Sequence, residues 1–333
     1  MIPQYRYSVV LPVRNGGAYV KECINSILTQ TLQDFNVLVL DNCSTDGTPE
    51  WIASLQDSRI TIYRSETSLT IEENWGRIID IPKNEFMTMI GHDDLLHPNY
   101  LQVMDELIRK HPGASLYQSH FLYIDSAGKF VRHSLPMDEV QYGYEFLACH
   151  MARTLDSMGT GYMMRSTDYD QLRGIPMHYP NLLFADYELW IRLSSIGYKA
   201  TTSETCFSYR LHQSVSRVTN GVRYQEAFLH YTDLLKELMS KEDKFRQVVA
   251  NYGNGMLLYY CESLSHRLLK TSLKNRPWRV AQFVDRCTAA AEQLGLGDVF
   301  KPRQVKRIKL AIAIDNNAVT RYLFYIYRKI VNP

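Results

Sequence analysis

Leu38-Val39-Leu40-Asp41-Asn42 and Met89-Ile90-Gly91-His92-Asp93-Asp94 decide how this chain is read. Each is an apolar run that stops abruptly at acidic or amide side chains. A carboxylate inside a buried strand carries a large desolvation cost, so these acids mark where the chain leaves a sheet. In an open α/β sheet, ligands bind at such carboxyl ends. Two acidic strand ends on one sheet predict a site for a metal ion and a polar, phosphate-bearing ligand.

Outward from these segments the chain alternates regularly. Tyr7 to Val13 reads as a buried strand. The Asn15-Gly16-Gly17 turn follows, then a helix with Val20, Ile24, Ile27 and Leu28 on one face. Phe35 to Leu40 is a second strand, and Asp46-Gly47-Thr48-Pro49 supplies a turn, an N-cap and a first-turn proline. Ile60 to Tyr63 is a third strand, residues 72–80 are helical, and Glu85 to Ile90 is a fourth strand. His97-Pro98 opens a helix carrying Leu101, Met104, Leu107 and Ile108. This order predicts an α/β fold with a mostly parallel, doubly wound sheet flanked by helices.

After about residue 113 the pattern changes. Leu116 to Ile124 and Lys129 to Val131 flank Asp125-Ser126-Ala127-Gly128 as a hairpin. A helix over 143–155, a short strand within Gly159 to Met164, and a helix from Asp186 to Ser195 follow. From residue 222 the chain reads as helix after helix. The expected organisation is two halves of one domain, 1–98 and 99–216, and a helical C-terminal region, 217–333.

Composition bounds the function. Hydrophobic residues make up 45% of 333, enough for a sizeable core. The net charge of +2 argues against a nucleic-acid partner. It is unevenly spread, however. Residues 301–333 hold eight basic side chains and one acid, Asp315, for +7, which leaves residues 1–300 at −5. Basic residues beside aromatics in that tail suit an anionic membrane surface; helices packed on the core or on a second subunit are the alternative. The six cysteines match no zinc or disulfide spacing and are expected to be reduced. No signal peptide and no run of ~20 apolar residues is visible. The expected location is the cytoplasm, or the inner face of the cytoplasmic membrane.

Four constellations can carry chemistry. Pro12-Val13-Arg14-Asn15-Gly16-Gly17 and Asp41-Asn42-Cys43-Ser44-Thr45-Asp46 follow strands that should be neighbours. A carboxylate there can accept a pyrimidine N–H or a ribose hydroxyl, although each segment alone is ordinary turn chemistry. Gly91-His92-Asp93-Asp94 offers oxygen ligands for a hard divalent cation; the alternative is that Asp94 and His97 cap the next helix. Asp186, where an apolar segment becomes an amphipathic helix, suits a general base, or else a helix-dipole partner. His212, in Tyr209-Arg210-Leu211-His212, follows a strand in a loop that could fold back over phosphates.

The series SVVLPVRNGGAYVKECINSIL, VLVLDNCSTDGT, GHDDLLHP, ADYELWIRLSSIGYK and YRLHQSVS resembles glycosyltransferase family 2 on the GT-A fold, over roughly residues 6–216. The resemblance implies an inverting transferase that uses a nucleotide-diphosphate sugar, most commonly a UDP-sugar, with Mg²⁺ or Mn²⁺. It implies Pro12, Val13, Asn15, Asn42, Ser44, Asp46, His92 and Asp94 around the donor, and Asp41 on its base. It implies Asp93 and His212 at the metal and Asp186 as catalytic base. The acceptor would be a glycan or a polyprenyl-diphosphate-linked glycan of a bacterial surface polysaccharide. A homo-oligomer is compatible with it. Gly91 stands where the family often has the first acid of its DxD motif, and Ala185 where an acid often precedes the base. Two other readings stay open: a sugar-1-phosphate nucleotidylyltransferase, and a catalytically degenerate carbohydrate-binding relative.

Overall fold

The computed structural model describes residues 5–211 and 220–331. His212 lies outside them. The chain divides into two compact units.

The first unit is built on one ten-stranded sheet. Its strands are β1 (Tyr7–Val13), β2 (Phe35–Asp41), β3 (Ile60–Arg64), β4 (Phe86–Met89), β5 (Leu95–Leu96), β6 (Leu116–Ile124), β7 (Phe130–His133), β8 (Val140–Gln141), β9 (Tyr162–Arg165) and β10 (Lys199–Arg210). The order is β3-β2-β1-β4-β9-β6-β10-β5, with β7 on β6 and β8 on β10. The main helices of this unit are α1 (Gly17–Leu28), α2 (Thr48–Ser54), α3 (Ile71–Gly76), α4 (Tyr100–Lys110), α6 (Ser166–Gln171) and α7 (Ala185–Ile196); α5 (Gly143–Ala152) begins in it.

The first four strands pair in parallel, as the βα alternation requires. β1 is buried along its whole length, which is why it reads as an unbroken apolar run. The edge strand β3 is only partly covered and carries Arg64. On α1, Val20, Cys23, Ile24 and Ile27 are buried at helical spacing. Each of the aliphatic three contributes about 1.5–3 kcal/mol by leaving water.

From β9 the sheet becomes mixed. β9 runs antiparallel to both β4 and β6, while β10 is parallel to β6. β4, β6 and β10 therefore all point the way β1 does. One sheet edge thus collects the carboxyl ends of β1, β2, β4, β6 and β10 together with the start of β9. The two quoted segments end on that edge.

The second unit, from residue 220 onward, is helical: α8 (Gly221–Lys241), α9 (Asp243–Leu268), α10 (Val280–Gln293), α11 (Lys306–Asn316) and α12 (Ala318–Val331). Phe228, Leu235, Leu257, Val284 and Ile308 form its core. Asp315 is also fully buried there, paired with Arg276 and accepting from Val280 N at 2.8 Å. The one acid of the basic tail is thus withdrawn from the surface. None of the six cysteines is in a disulfide.

Candidate active site

The turns after β1 and β2 are stitched together by the residues that end them. Asn15 N donates to Ser44 Oγ at 2.9 Å, Thr45 N to Asn15 Oδ1 at 2.8 Å, and Gly17 N to Asp46 Oδ2 at 3.0 Å. Asn15 itself sits at φ 51, a left-handed backbone that asparagine tolerates. Asn42 spans outward: its side-chain amide both donates to Leu69 O and accepts from Leu69 N. Asn15, Asn42, Ser44 and Asp46 therefore shape the rim of this crevice through their own hydrogen bonds. Pro12 and Val13 lie at the buried end of β1, with Val13 in register with Asp41.

Asp41 is fully buried at the crevice floor. Its Oδ2 accepts from Ser44 N at 3.3 Å and lies 3.5 Å from Arg64 Nε. Arg77 reaches its backbone carbonyl. Oδ1 has no hydrogen-bond partner among the described residues. A buried carboxylate oxygen without a donor costs about 1–3 kcal/mol or more. That oxygen is able to accept a further N–H or O–H.

The turn after β4 folds tightly, with Asp94 N donating to Gly91 O. Asp94 points inward. Its Oδ1 accepts from Arg210 N at 3.0 Å and its Oδ2 from Thr160 Oγ1 at 2.7 Å. Burial pushes its carboxyl well above the usual range, and the neighbouring Asp93 charge adds to this. Asp94 does not cap α4, nor does His97: the N-cap of that helix, Asn99, makes no side-chain cap bond, and the His97 ring bonds Thr205 O and Ser208 Oγ. Asp93 and His92 are only half-buried. A Cβ at Gly91 would fall 2.7 Å from Asp93 Oδ1 and 3.0 Å from Asp94 Oδ2. The glycine is thus the room into which these two carboxylates turn.

Asp186 occupies the first turn of α7. Burial raises its carboxyl from the ordinary 3.8 to about 6, against backbone hydrogen bonds that lower it. A Cβ at Gly159 would meet only Asp186 Cβ and Oδ2, at 3.8 and 3.9 Å. Between Gly159 and the carboxylate there is thus room for about one methyl group. Asp93, Asp94 and Asp186 all act on one group: their charges, after burial, hold the Tyr209 hydroxyl above its normal range. The structure thus brings these three acids to one locality, on the sheet edge that also carries Asp41.

Three side chains that sequence reasoning passed over hold this locality: Thr160, Arg210 and Arg77. Arg210 stood in a quoted segment, two residues before His212. Its signal was a cation at the end of a strand.

No cluster of three or more His, Cys, Asp or Glu side chains that could hold a metal occurs among the described residues. With Asp94 committed inward, Asp93 is the carboxylate of the turn placed to meet a cation. One carboxylate together with ligand phosphates and water is an ordinary Mg²⁺ set, so the residues fit a cation that arrives with a diphosphate.

The fold has solved counterparts. Residues 1–349 of TarS from S. aureus, in complex with UDP-GlcNAc, superpose with a TM-score of 0.70 at 16% identity, covering 97% of this chain and 92% of that one. The mannosyltransferase PcManGT from Pyrobaculum calidifontis, in complex with GDP-Man and Mn²⁺, gives 0.52 at 14% identity over 97% and 88%. Among curated proteins, glycosyltransferase GlyG of Streptococcus pneumoniae is 27% identical over 125 residues, 37% of this chain and 42% of that protein. An uncharacterised glycosyltransferase of Rickettsia typhi is 24% identical over 252 residues, 71% of this chain and 73% of that one. The alignment thus spans less than half of the pneumococcal relative. The fold is that of the GT-A class, and the curated relatives mark the chain as a glycosyltransferase. The sequence profile of glycosyl transferase family 2 matches residues 8–172, just under half of the chain.

Proposed function

We propose that this protein transfers a sugar, with inversion, from a UDP-sugar to a hydroxyl of a glycan or polyprenyl-diphosphate-linked acceptor in bacterial surface polysaccharide synthesis. The observation that supports the chemistry is the Asp186 carboxyl, raised to about 6 by burial and close to Asp93 and Asp94 on the edge that bears Asp41. Asp41 Oδ1 accepts the base N–H. Asp186 takes the acceptor proton while the acceptor oxygen bonds the anomeric carbon. The bond from that carbon to the phosphate oxygen breaks on the opposite face, and its electron pair leaves with UDP. A divalent cation on Asp93, with His212 as a further ligand, would neutralise the departing diphosphate. The test is a thermal-shift screen of nucleotide sugars with and without Mn²⁺, followed by UDP release. Stabilisation by UDP-sugars above other nucleotide sugars supports the reading, and none sinks it. Pyrophosphate exchange with a nucleoside triphosphate would instead mark a nucleotidylyltransferase.

A lipid-linked acceptor calls for contact with a membrane. No helix among the described residues is long and apolar enough to cross one. On α12, however, Val319, Tyr322, Leu323, Ile326 and Tyr327 face outward at helical spacing, Tyr322 with 64% of its surface exposed. Exposed Lys306 and Lys309 precede them on α11. An outward apolar stripe in a +7 segment suits peripheral attachment to an anionic inner leaflet. Vesicles containing phosphatidylglycerol should retain the full chain in sedimentation and lose a Leu323→Asp/Tyr327→Asp variant. Equal binding by that variant, or a concentration-dependent dimer that it abolishes, overturns attachment through α12.

A further inference from the structure

We infer that Arg210 is a positioning residue, a buried three-way clamp that fixes the Asp93 turn for cation and diphosphate. The inference deepens the donor-site reading above and rests on it.

Arg210 ends β10, and its side chain is 1% exposed. A guanidinium buried to that degree must direct its donors at defined acceptors. They go to three separate elements. Nε donates to Asp93 O at 2.7 Å. Nη2 donates to Glu22 Oε2 on α1 at 2.6 Å. Nη1 reaches Ser126 O, in the hairpin turn after β6, at 3.4 Å. Tyr19 of α1 lies under the plane, its ring centroid 4.7 Å from Arg210 Cζ, and its hydroxyl donates to the same Ser126 O at 3.1 Å. The backbone N–H of Arg210 meanwhile holds Asp94 Oδ1.

These bonds have different fates on substitution. The backbone bond to Asp94 survives any side chain. The bond to Asp93 O depends on the guanidinium, as does the tie to Glu22 and Ser126. An ammonium is a single point with no planar fork, so lysine cannot reach three acceptors set in different directions. Arg210 therefore governs where the Asp93 peptide, and with it the Asp93 carboxylate, stands relative to α1 and the hairpin. It touches neither the nucleotide crevice at Asp41 nor the base at Asp186. Its loss should weaken the cation-dependent part of donor binding and spare the rest.

The experiment measures UDP affinity by calorimetry across a Mn²⁺ titration for the full chain and for Arg210→Lys. The Mn²⁺ concentration for half-maximal enhancement should rise about 10–100-fold, the usual cost of removing an outer-shell partner. Metal-free UDP affinity should stay within about threefold. Glu22 is half-exposed, so Glu22→Ala folds even where Arg210→Lys does not. It should move the Mn²⁺ requirement in the same direction by a smaller factor, about threefold or more. An unchanged Mn²⁺ requirement in the folded variants, or equal losses with and without Mn²⁺, overturns the clamp. If the wild-type chain binds UDP with no Mn²⁺ enhancement at all, the clamp falls while the base-binding role of Asp41 stands. If it binds no UDP, the donor reading falls with it.

Discussion

Replacing Asp186 by asparagine separates a base from a helix cap by the sign of a stability change. The carboxyl is held at about 6 instead of 3.8 by burial. At 1.36 kcal/mol per pH unit, ionising it inside the fold costs about 3 kcal/mol. Because the folded-state value is raised, the folded chain binds the extra proton. That contribution to stability is fully present below about pH 4 and is lost as pH rises through about 6. The asparagine side chain cannot ionise and escapes the cost. The variant should match wild type near pH 4 and become more stable by up to about 3 kcal/mol near pH 8. A helix-dipole partner behaves oppositely: losing a first-turn anion on α7 should cost about 0.3–1 kcal/mol at neutral pH.

The same variant should lose about 10²–10⁴-fold in turnover, measured as UDP release from the donor found in the nucleotide-sugar screen. Wild-type kcat/KM should fall tenfold per pH unit below about 6, because only about one tenth of Asp186 is ionised at pH 5. Chemical denaturation at both pH values and a pH–rate profile check these outcomes. A variant that is less stable at pH 8, or that turns over within a few-fold of wild type, refutes the reasoning.

Other outcomes follow from the same edge. Asp41→Asn offers ligand a donor where Oδ1 was an acceptor, and losing a charged hydrogen bond of about 1.5–3 kcal/mol should weaken UDP binding about 10–150-fold by calorimetry. Gly91→Asp restores an acid to the turn, yet its Cβ would meet Asp93 Oδ1 at 2.7 Å; it should lower stability by about 1–3 kcal/mol and bind Mn²⁺ no tighter. Mn²⁺ alone should leave the melting temperature unchanged and UDP alone should raise it. The two together should exceed the sum, because each ligand must raise the affinity of the other by the same factor. Stabilisation by Mn²⁺ alone would point to a complete protein-built cation site.

The parallel half of the fold was legible because its strands are buried on both faces and its helices carry one apolar stripe. Tyr7 to Val13, Phe35 to Leu40 and α1 declare themselves by local pattern alone. β9 and β10 do not. The pairing of β9 with β4 and of β10 with β6 depends on contacts about 75 to 86 residues apart, and no local period encodes whether a strand joins parallel or antiparallel. The site divides the same way. Asp41, Asp93 and Asp186 could be found because a carboxylate closing an apolar run is costly wherever the fold puts it. Arg210 and Thr160 were missed because their importance lies in a partner, Asp93 O or Asp94 Oδ2, supplied by a distant strand end. Asn15, Asn42, Ser44 and Asp46 show the reverse. Their residue types suggested ligand contacts, and the structure shows Asn15 bonded to Ser44 and Thr45, Asp46 to Gly17 and Thr48, and Asn42 to Leu69.

Gly91 and the inward turn of Asp94 have one cause. Two carboxylates already crowd the space over residue 91, and the guanidinium of Arg210 beside them is shared with Glu22. A third carboxylate within about 3 Å would face two like charges in a poorly solvated turn, and at least one of the three would have to take up a proton. The chain meets this with a glycine at 91 and with Asp94 buried under Thr160 and the Arg210 backbone, its proton affinity already raised. A turn organised in this way presents one anion outward. One anion holds a hard cation weakly in water and firmly once a diphosphate supplies further oxygens. On the proposed reading, the missing first acid therefore fits a cation bound jointly with the donor.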